Sequence, residues 1–266
     1  MCSSDLHNPV LLAEQVATID VLSGGRVDFG IGRGYRKAEF DQFCVPMSEA
    51  WDRYNECVEI MLKAWRTDGR FSYHSSRWNF EDIVVEPAPV QRPHPPIWTA
   101  AGSTESIARV ASENYNLLLD QIAPIDQTIS RVQLYLDGLE AKGLPRDASR
   151  VGVTRALHIV RNDAERKEAY ERRRQSLQKI GELARTVDGR RPTFDDAYIA
   201  ADDSALIGSP DEIVGRLQRL ADGGVEYILL TNAMASAESL DVLAEEILPR
   251  VRSKAAPRAE PVAANA

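Results

Sequence analysis

Ile97-Trp98-Thr99-Ala100-Ala101-Gly102-Ser103-Thr104-Glu105-Ser106 is the stretch that decides the fold class. Pro87, Pro89, Pro93, Pro95 and Pro96 stand before it and forbid a helix there. The apolar run 97–101 therefore reads as a buried strand, and it passes almost at once into a helix over 103–112. Strands that feed directly into helices are the repeating unit of a parallel α/β sheet. In such sheets ligands gather at the C-terminal ends of the strands. The free amides and dipole of the helix favour an anion at its start. Ser103 and Ser106, three residues apart, are placed to face that anion together. The plainer reading is that Ser103 only caps the helix.

The same alternation extends in both directions. Upstream, Asn8 is a helix N-cap with Pro9 at the first helical position, and Leu12, Val16 and Ile19 follow at helical spacing. Ser23-Gly24-Gly25 ends that helix. A strand over 26–31 then leads into Gly30-Ile31-Gly32-Arg33-Gly34. The alternate glycines let a ligand approach the backbone. The run is not the dinucleotide fingerprint, which would need glycine at Tyr35 or Lys37. Arg33, where strand gives way to loop, suits a phosphate held by two hydrogen bonds, with a solvated turn arginine as the equal alternative. A helix over 48–65 sets Tyr54, Val58, Met61 and Trp65 on one face, with Cys57 as a small core residue. Residues 71–85 suit a hairpin.

Downstream, strands are expected near 115–119, 151–160 and 225–230, with helices over 125–142, 163–187 and 240–251. Arg172, Arg173 and Arg174 read as a solvated helix face, because acidic residues are interleaved. Residues 188–205 read as a loop insertion. Ser209-Pro210-Asp211-Glu212 forms a capping box that opens another helix, closed by Gly223-Gly224. One domain over 1–252 and a disordered tail over 253–266, rich in Ala and Pro, complete the reading.

Charge and composition narrow the function. With 32 basic against 40 acidic residues the net charge is −8, which argues against nucleic acid or an anionic membrane as partner and suits a cytoplasmic protein. Cys2, Cys44 and Cys57 make neither a disulfide framework nor a zinc motif. No 18-residue apolar run and no signal-peptide pattern is found. The four histidines lack metal-ligand spacing, and no G-x-S-x-G elbow occurs, so zinc and hydrolytic chemistry have little support.

Several motifs together resemble the luciferase-like flavin-dependent monooxygenases. These are Asn8-Pro9, Ala13-Glu14-Gln15-Val16-Ala17-Thr18-Ile19-Asp20, Leu22-Ser23-Gly24-Gly25-Arg26, Gly30-Ile31-Gly32-Arg33-Gly34, Pro95-Pro96-Ile97-Trp98 with Gly102-Ser103, and Ile207-Gly208-Ser209-Pro210 with the strand after it. The resemblance implies a TIM-type (β/α)8 barrel with a hairpin insertion. It implies reduced FMN as cofactor, O2 and a small organic molecule as substrates, and a separate NAD(P)H-dependent flavin reductase as partner. A deazaflavin, coenzyme F420, is the alternative cofactor. A homo-oligomer is implied for the full-length protein. The residues that match the family's cofactor site are Gly32, Arg33, Gly102, Ser103, Thr104 and Ser106, with Arg53 joining them after a two-residue shift. Strands at Arg26, Ile97, Tyr115, Val151 and Val225 leave about three of eight unaccounted for, all N-terminal. The missing segments carry the family's acid/base histidine, so no catalytic residue is named. The barrel is expected to be incomplete, and a non-catalytic flavin-binding fragment is the rival outside the enzymes.

Overall fold

The computed structural model of the chain describes residues 2–3, 6–34, 36–183, 202–231 and 237–252. The chain divides into two compact units, with the boundary between Thr99 and Ala100.

In the first unit, β1 (Cys2–Ser3), β2 (Phe29–Gly32) and β5 (Ile97–Ala100) run parallel. Cys2 pairs with Ile31, and Phe29 pairs with Ile97. Helix α1 (Pro9–Ser23) starts where Asn8 accepts hydrogen bonds from the amides of Val10 and Leu11. It stops at Gly24 and Gly25, whose φ angles of 66° and 78° are left-handed and cost a glycine nothing sterically. Its buried face is Leu12, Ala13, Val16, Ala17 and Asp20. Ile19, expected in that face, is 55% exposed. Four residues beyond Val16 comes Asp20, and it is fully buried because Gln91 satisfies both carboxylate oxygens, through its amide at 2.9 Å and its side chain at 2.8 Å. This anchors the proline-rich approach to β5.

Helix α2 (Lys37–Gln42), which periodicity did not suggest, precedes α3 (Ala50–Arg66). Cys57, Val58, Met61 and Trp65 of α3 are buried, and the Trp65 indole donates to the Ala13 carbonyl at 3.1 Å. The expected hairpin is β3 (Phe71–His74) with β4 (Asn79–Ile83), paired antiparallel. Arg77 in its turn reaches Glu56 at 2.9 Å, Glu49 at 3.3 Å and Asp52 at 3.5 Å, which fastens the hairpin to α3.

The second unit carries α4 (Thr104–Ser112), β6 (Asn116–Leu119), α5 (Ile125–Glu140), β7 (Val151–Ile159) and α6 (Asp163–Leu183). It continues with β8 (Leu206–Gly208), α7 (Pro210–Asp222), β9 (Tyr227–Thr231) and α8 (Ala237–Val242). A π turn (Leu243–Ile247) and a 3-10 turn (Leu248–Arg250) replace the straight helix expected to Val251. Strands β6, β8 and β9 all pair with β7 in parallel.

β7 and β8 are covered on both faces, and their alternate residues show it. Leu157 and Leu206 pack with Ile213, Leu217 and Ile247, whereas Ala156 and Ile207 pack with Ala169 of α6.

Two strands go beyond those expected from the sequence. β1 is two residues long, and β8 is a three-residue run directly after the 188–205 stretch that reads as a loop. The described residues thus hold seven strands of the main sheet, three in the first unit and four in the second, against the five expected. Residues 184–187 of the expected helix, 188–201 of the expected loop and the 253–266 tail lie outside the described residues.

Candidate active site

Gly32 is the last residue of β2, and Arg33 follows it, exposed. The Arg33 guanidinium carbon sits 4.8 Å from the centroid of the Trp51 ring. No carboxylate pairs with Arg33 among the described residues. A guanidinium laid on an indole face keeps its edge donors for another acceptor. Arg53 lies one turn into α3 and gives its Nε to Glu49 at 3.0 Å. Arg77 and Arg53 together hold the Glu49 carboxyl below its usual range.

In the second unit, Gly102, Ser103, Thr104 and Ser106 form the turn into α4. The Ala101 amide donates to the Leu118 carbonyl at 3.3 Å, which fixes this turn on β6. Ser103 is the N-cap, as the plainer reading had it, and its hydroxyl accepts from the Ser106 amide at 3.2 Å. The Ser106 hydroxyl accepts in return from the Ser103 amide at 3.1 Å. The helix start is therefore capped by two neutral hydroxyls, with no carboxylate in the capping box. Neutral caps leave the positive end of the helix available to an outside anion. Taken by itself, each set offers donor types suited to a phosphate ester: hydroxyls and first-turn amides in the second unit, a guanidinium in the first. On that chemistry both residue sets fit the phosphate of a flavin mononucleotide.

Beneath the α4 turn lies a polar cluster that sequence reasoning missed. Asp120, just past β6, accepts from the Ile122 and Ala123 amides at 2.7 and 3.0 Å and pairs with Arg131 at 2.9 Å. A Cβ on Gly102 would lie 3.5 Å from Asp120 Oδ2 and 3.8 Å from an Arg131 nitrogen. Arg155, on β7, is fully buried, and burial pushes its pKa down to about 10, so it stays charged at neutral pH. It donates to the carbonyls of Asp120 at 3.2 Å and Thr154 at 2.9 Å, and to the Thr128 hydroxyl. Its Nε meets no acceptor among the described residues. Arg173 of α6 is also buried and donates to the Gln121 carbonyl at 2.7 Å and the Ser204 hydroxyl at 3.2 Å. The expectation of a solvated arginine face therefore holds for Arg172 and Arg174, paired at the surface with Glu168 and Glu171, and fails for Arg173. The signal that was available is Arg155 itself. A charge in the middle of a β-branched, apolar strand is costly unless it is used.

His158, beyond Arg155 on β7, is held below the usual imidazole pKa by burial and then by Arg173 and Arg172. Burial does the same to His94, whose ring bonds the Pro95 carbonyl at 2.8 Å and Arg66 at 3.0 Å, a structural arrangement.

Comparison with known proteins shows the family. The chain is 28% identical over 265 residues to an FMNH(2)-dependent dimethylsulfone monooxygenase of Pseudomonas putida, covering 92% of this chain and 71% of that one. It is 31% identical over 121 residues to the oxygenase component of the flavin-dependent trigonelline monooxygenase of Acinetobacter baylyi, covering 44% of this chain and 32% of that one. Among curated relatives such as these, and an uncharacterized Sinorhizobium fredii protein, y4vJ, the chain spans between 32% and 71% of their length. The fold is that of the monooxygenase RslO1 of Streptomyces bottropensis, with a TM-score of 0.76, 24% identity, and 93% of this chain and 76% of that chain covered. The luciferase-like monooxygenase family model matches residues 3–227, and the chain belongs to that family.

Proposed function

We propose that this chain is the oxygenase part of a two-component flavin-dependent monooxygenase that oxidises a small organic molecule with O2. One observation carries the cofactor reading: α4 begins at the C-terminal side of a parallel strand with a capping box of two neutral hydroxyls. Ser103 and Ser106, with the amides of Thr104 and the open face of Gly102, are proposed to take the FMN phosphate. Gly32 and Arg33 form the second set, with Arg33 giving charge-assisted hydrogen bonds and Gly32 admitting the ligand to the backbone. Arg53 joins them through its terminal nitrogens, since Glu49 occupies its Nε.

When bound, reduced FMN supplies the electrons that activate oxygen. The protein's own part is to hold the phosphate, exclude water and orient the substrate. A separate NAD(P)H-dependent reductase is the proposed source of reduced flavin, in keeping with a relative named as an oxygenase component. A cytoplasmic setting and a homo-oligomer are part of the same reading. No helix among the described residues is long and apolar enough to cross a membrane.

Titration with oxidised and reduced FMN, followed by flavin fluorescence and absorbance, tests the reading. Arg33→Ala is expected to weaken binding by about 10-fold to 150-fold, the worth of one charge-assisted hydrogen bond. An unchanged dissociation constant would make Arg33 a turn residue only. Saturable binding of coenzyme F420 with none of FMN would replace the oxygenase reading by hydride transfer.

A further inference from the structure

Arg155 and Arg173 approach one short loop from opposite faces of the second unit's sheet. Arg155 shares its side of β7 with Leu157, whose cluster includes Ile213 and Leu217 of α7, and it reaches Thr128 on α5. Arg173 stands one turn from Ala169, which packs on the other face with Ala156 and Ile207. The loop between them is 120–123. Arg155 takes the Asp120 carbonyl and Arg173 takes the next one, that of Gln121. Neither guanidinium forms an ion pair among the described residues, and both lose solvation by burial. An apolar residue in either place would be cheaper for stability alone.

The loop carries two side chains outward. Asp120, paired with Arg131, lies against the Gly102 turn. Gln121 accepts from the Thr231 hydroxyl at 3.2 Å, at the C-terminal end of β9. The main chain held by the two arginines therefore sets the height of groups at three strand ends: β6, β9 and the turn that follows β5.

We propose that Arg155 and Arg173 are positioning residues that clamp loop 120–123 by its carbonyls and so fix the Gly102–Ser106 turn through Asp120 and Arg131. This rests on the flavin-phosphate reading of that turn. The clamp itself does not require it.

The test uses the full chain with Arg173→Met and Arg173→Lys. Thr128→Val serves as a milder probe of Arg155, since it removes one acceptor and leaves the charge. Amide hydrogen exchange without flavin is the first readout. Arg173→Met is expected to raise exchange at Ile122 and Ala123 by about tenfold or more while the α7 amides keep their protection, because local opening is uncoupled from global unfolding. Arg173→Lys, which still donates to the Gln121 carbonyl, should restore most of the protection. The second readout is FMN affinity, expected to fall about threefold to tenfold in Arg173→Met and to recover in Arg173→Lys, as a misplaced rather than deleted contact would give. Unchanged exchange at 122–123, or an equal rise throughout the second unit, overturns the clamp. Raised local exchange with unaltered FMN affinity overturns its link to the turn. Wild-type protein that binds no FMN overturns the flavin reading alone, because the exchange result still decides the clamp.

Discussion

Two turns in the second unit are built on the same plan and end in opposite electrostatic states. Ala101-Gly102-Ser103 leads from β5 into α4, and Ile207-Gly208-Ser209 leads from β8 into α7. Each has serine as N-cap and a reciprocal capping box. At α7 the third helical residue is Glu212, whose carboxylate accepts from the Ser209 amide at 2.7 Å and pairs with Arg166 at 2.7 Å. At α4 the same position holds Ser106, a neutral hydroxyl. The chain's own carboxylate closes the capping box at α7, whereas at α4 the box holds no carboxylate and the first-turn acid is Glu105, outside it. In (β/α)8 enzymes phosphates often settle at the last strand–helix turns. Here the late turn, at α7, already holds the Glu212 carboxylate.

The largest expected effect separates the two glycines. A Cβ on Gly208 would stand 2.9 Å from Glu212 Cβ and 2.8 Å from its Oε2, whereas one on Gly102 meets nothing closer than 3.5 Å. Gly208→Ala should therefore break the capping box and cost about 2–4 kcal/mol, from overpacking plus a lost cap. Gly102→Ala should stay within about 0.5 kcal/mol. Urea denaturation of both variants measures the difference, and equal costs would remove the contrast.

Next in size is the conversion of one turn into the other. Ser106→Glu gives α4 the carboxylate that α7 already has. Folding should be undisturbed, while FMN affinity should fall about 10-fold to 30-fold, since an internal anion now competes for the helix start. Retained affinity would show that the phosphate is not held there.

The smallest effect is a pH dependence. Hydrogen bonding to Arg166, and then to the Ser209 amide, lowers the Glu212 pKa to about 2. With its folded pKa depressed, this carboxylate stabilises the fold above the unfolded value near 4.5, and the contribution is lost as pH falls towards 2. The Glu212 side chain is 44% exposed, so solvent screening limits the gain to about 0.5–1 kcal/mol. Glu212→Gln should be less stable than wild type at pH 6 and equal to it near pH 2. A constant gap across that range would mean the ion pair contributes nothing. Ser106, being neutral, predicts no such titration for α4.

Much of this architecture is legible in the order of residues. Asn8-Pro9, Gly24-Gly25 and Ser209-Pro210-Asp211-Glu212 mark helix ends because capping is local chemistry, decided within three or four residues. Parallel strands 97–101 and 151–160 are legible because fully buried strands read as continuous apolar runs. β1 and β8 are not, since two or three residues carry no periodicity and become strands only when a neighbour offers its backbone. Ile19 misleads for a related reason. Its hydrophobicity favours burial, but the buried position goes to Asp20, whose partner Gln91 is 71 residues away.

The sequence by itself determined the alternation of strand and helix, the ends of the helices, the family, and the residue types at the candidate phosphate turn. All of these rest on interactions between near neighbours or on motif order. The tertiary structure alone decided which arginine of Arg172-Arg173-Arg174 turns inward, that Arg155 stays charged inside the fold, and that both grip consecutive carbonyls of loop 120–123. Those outcomes depend on desolvation and on hydrogen-bond acceptors 35 and 52 residues away, and neither quantity exists until the strands have paired.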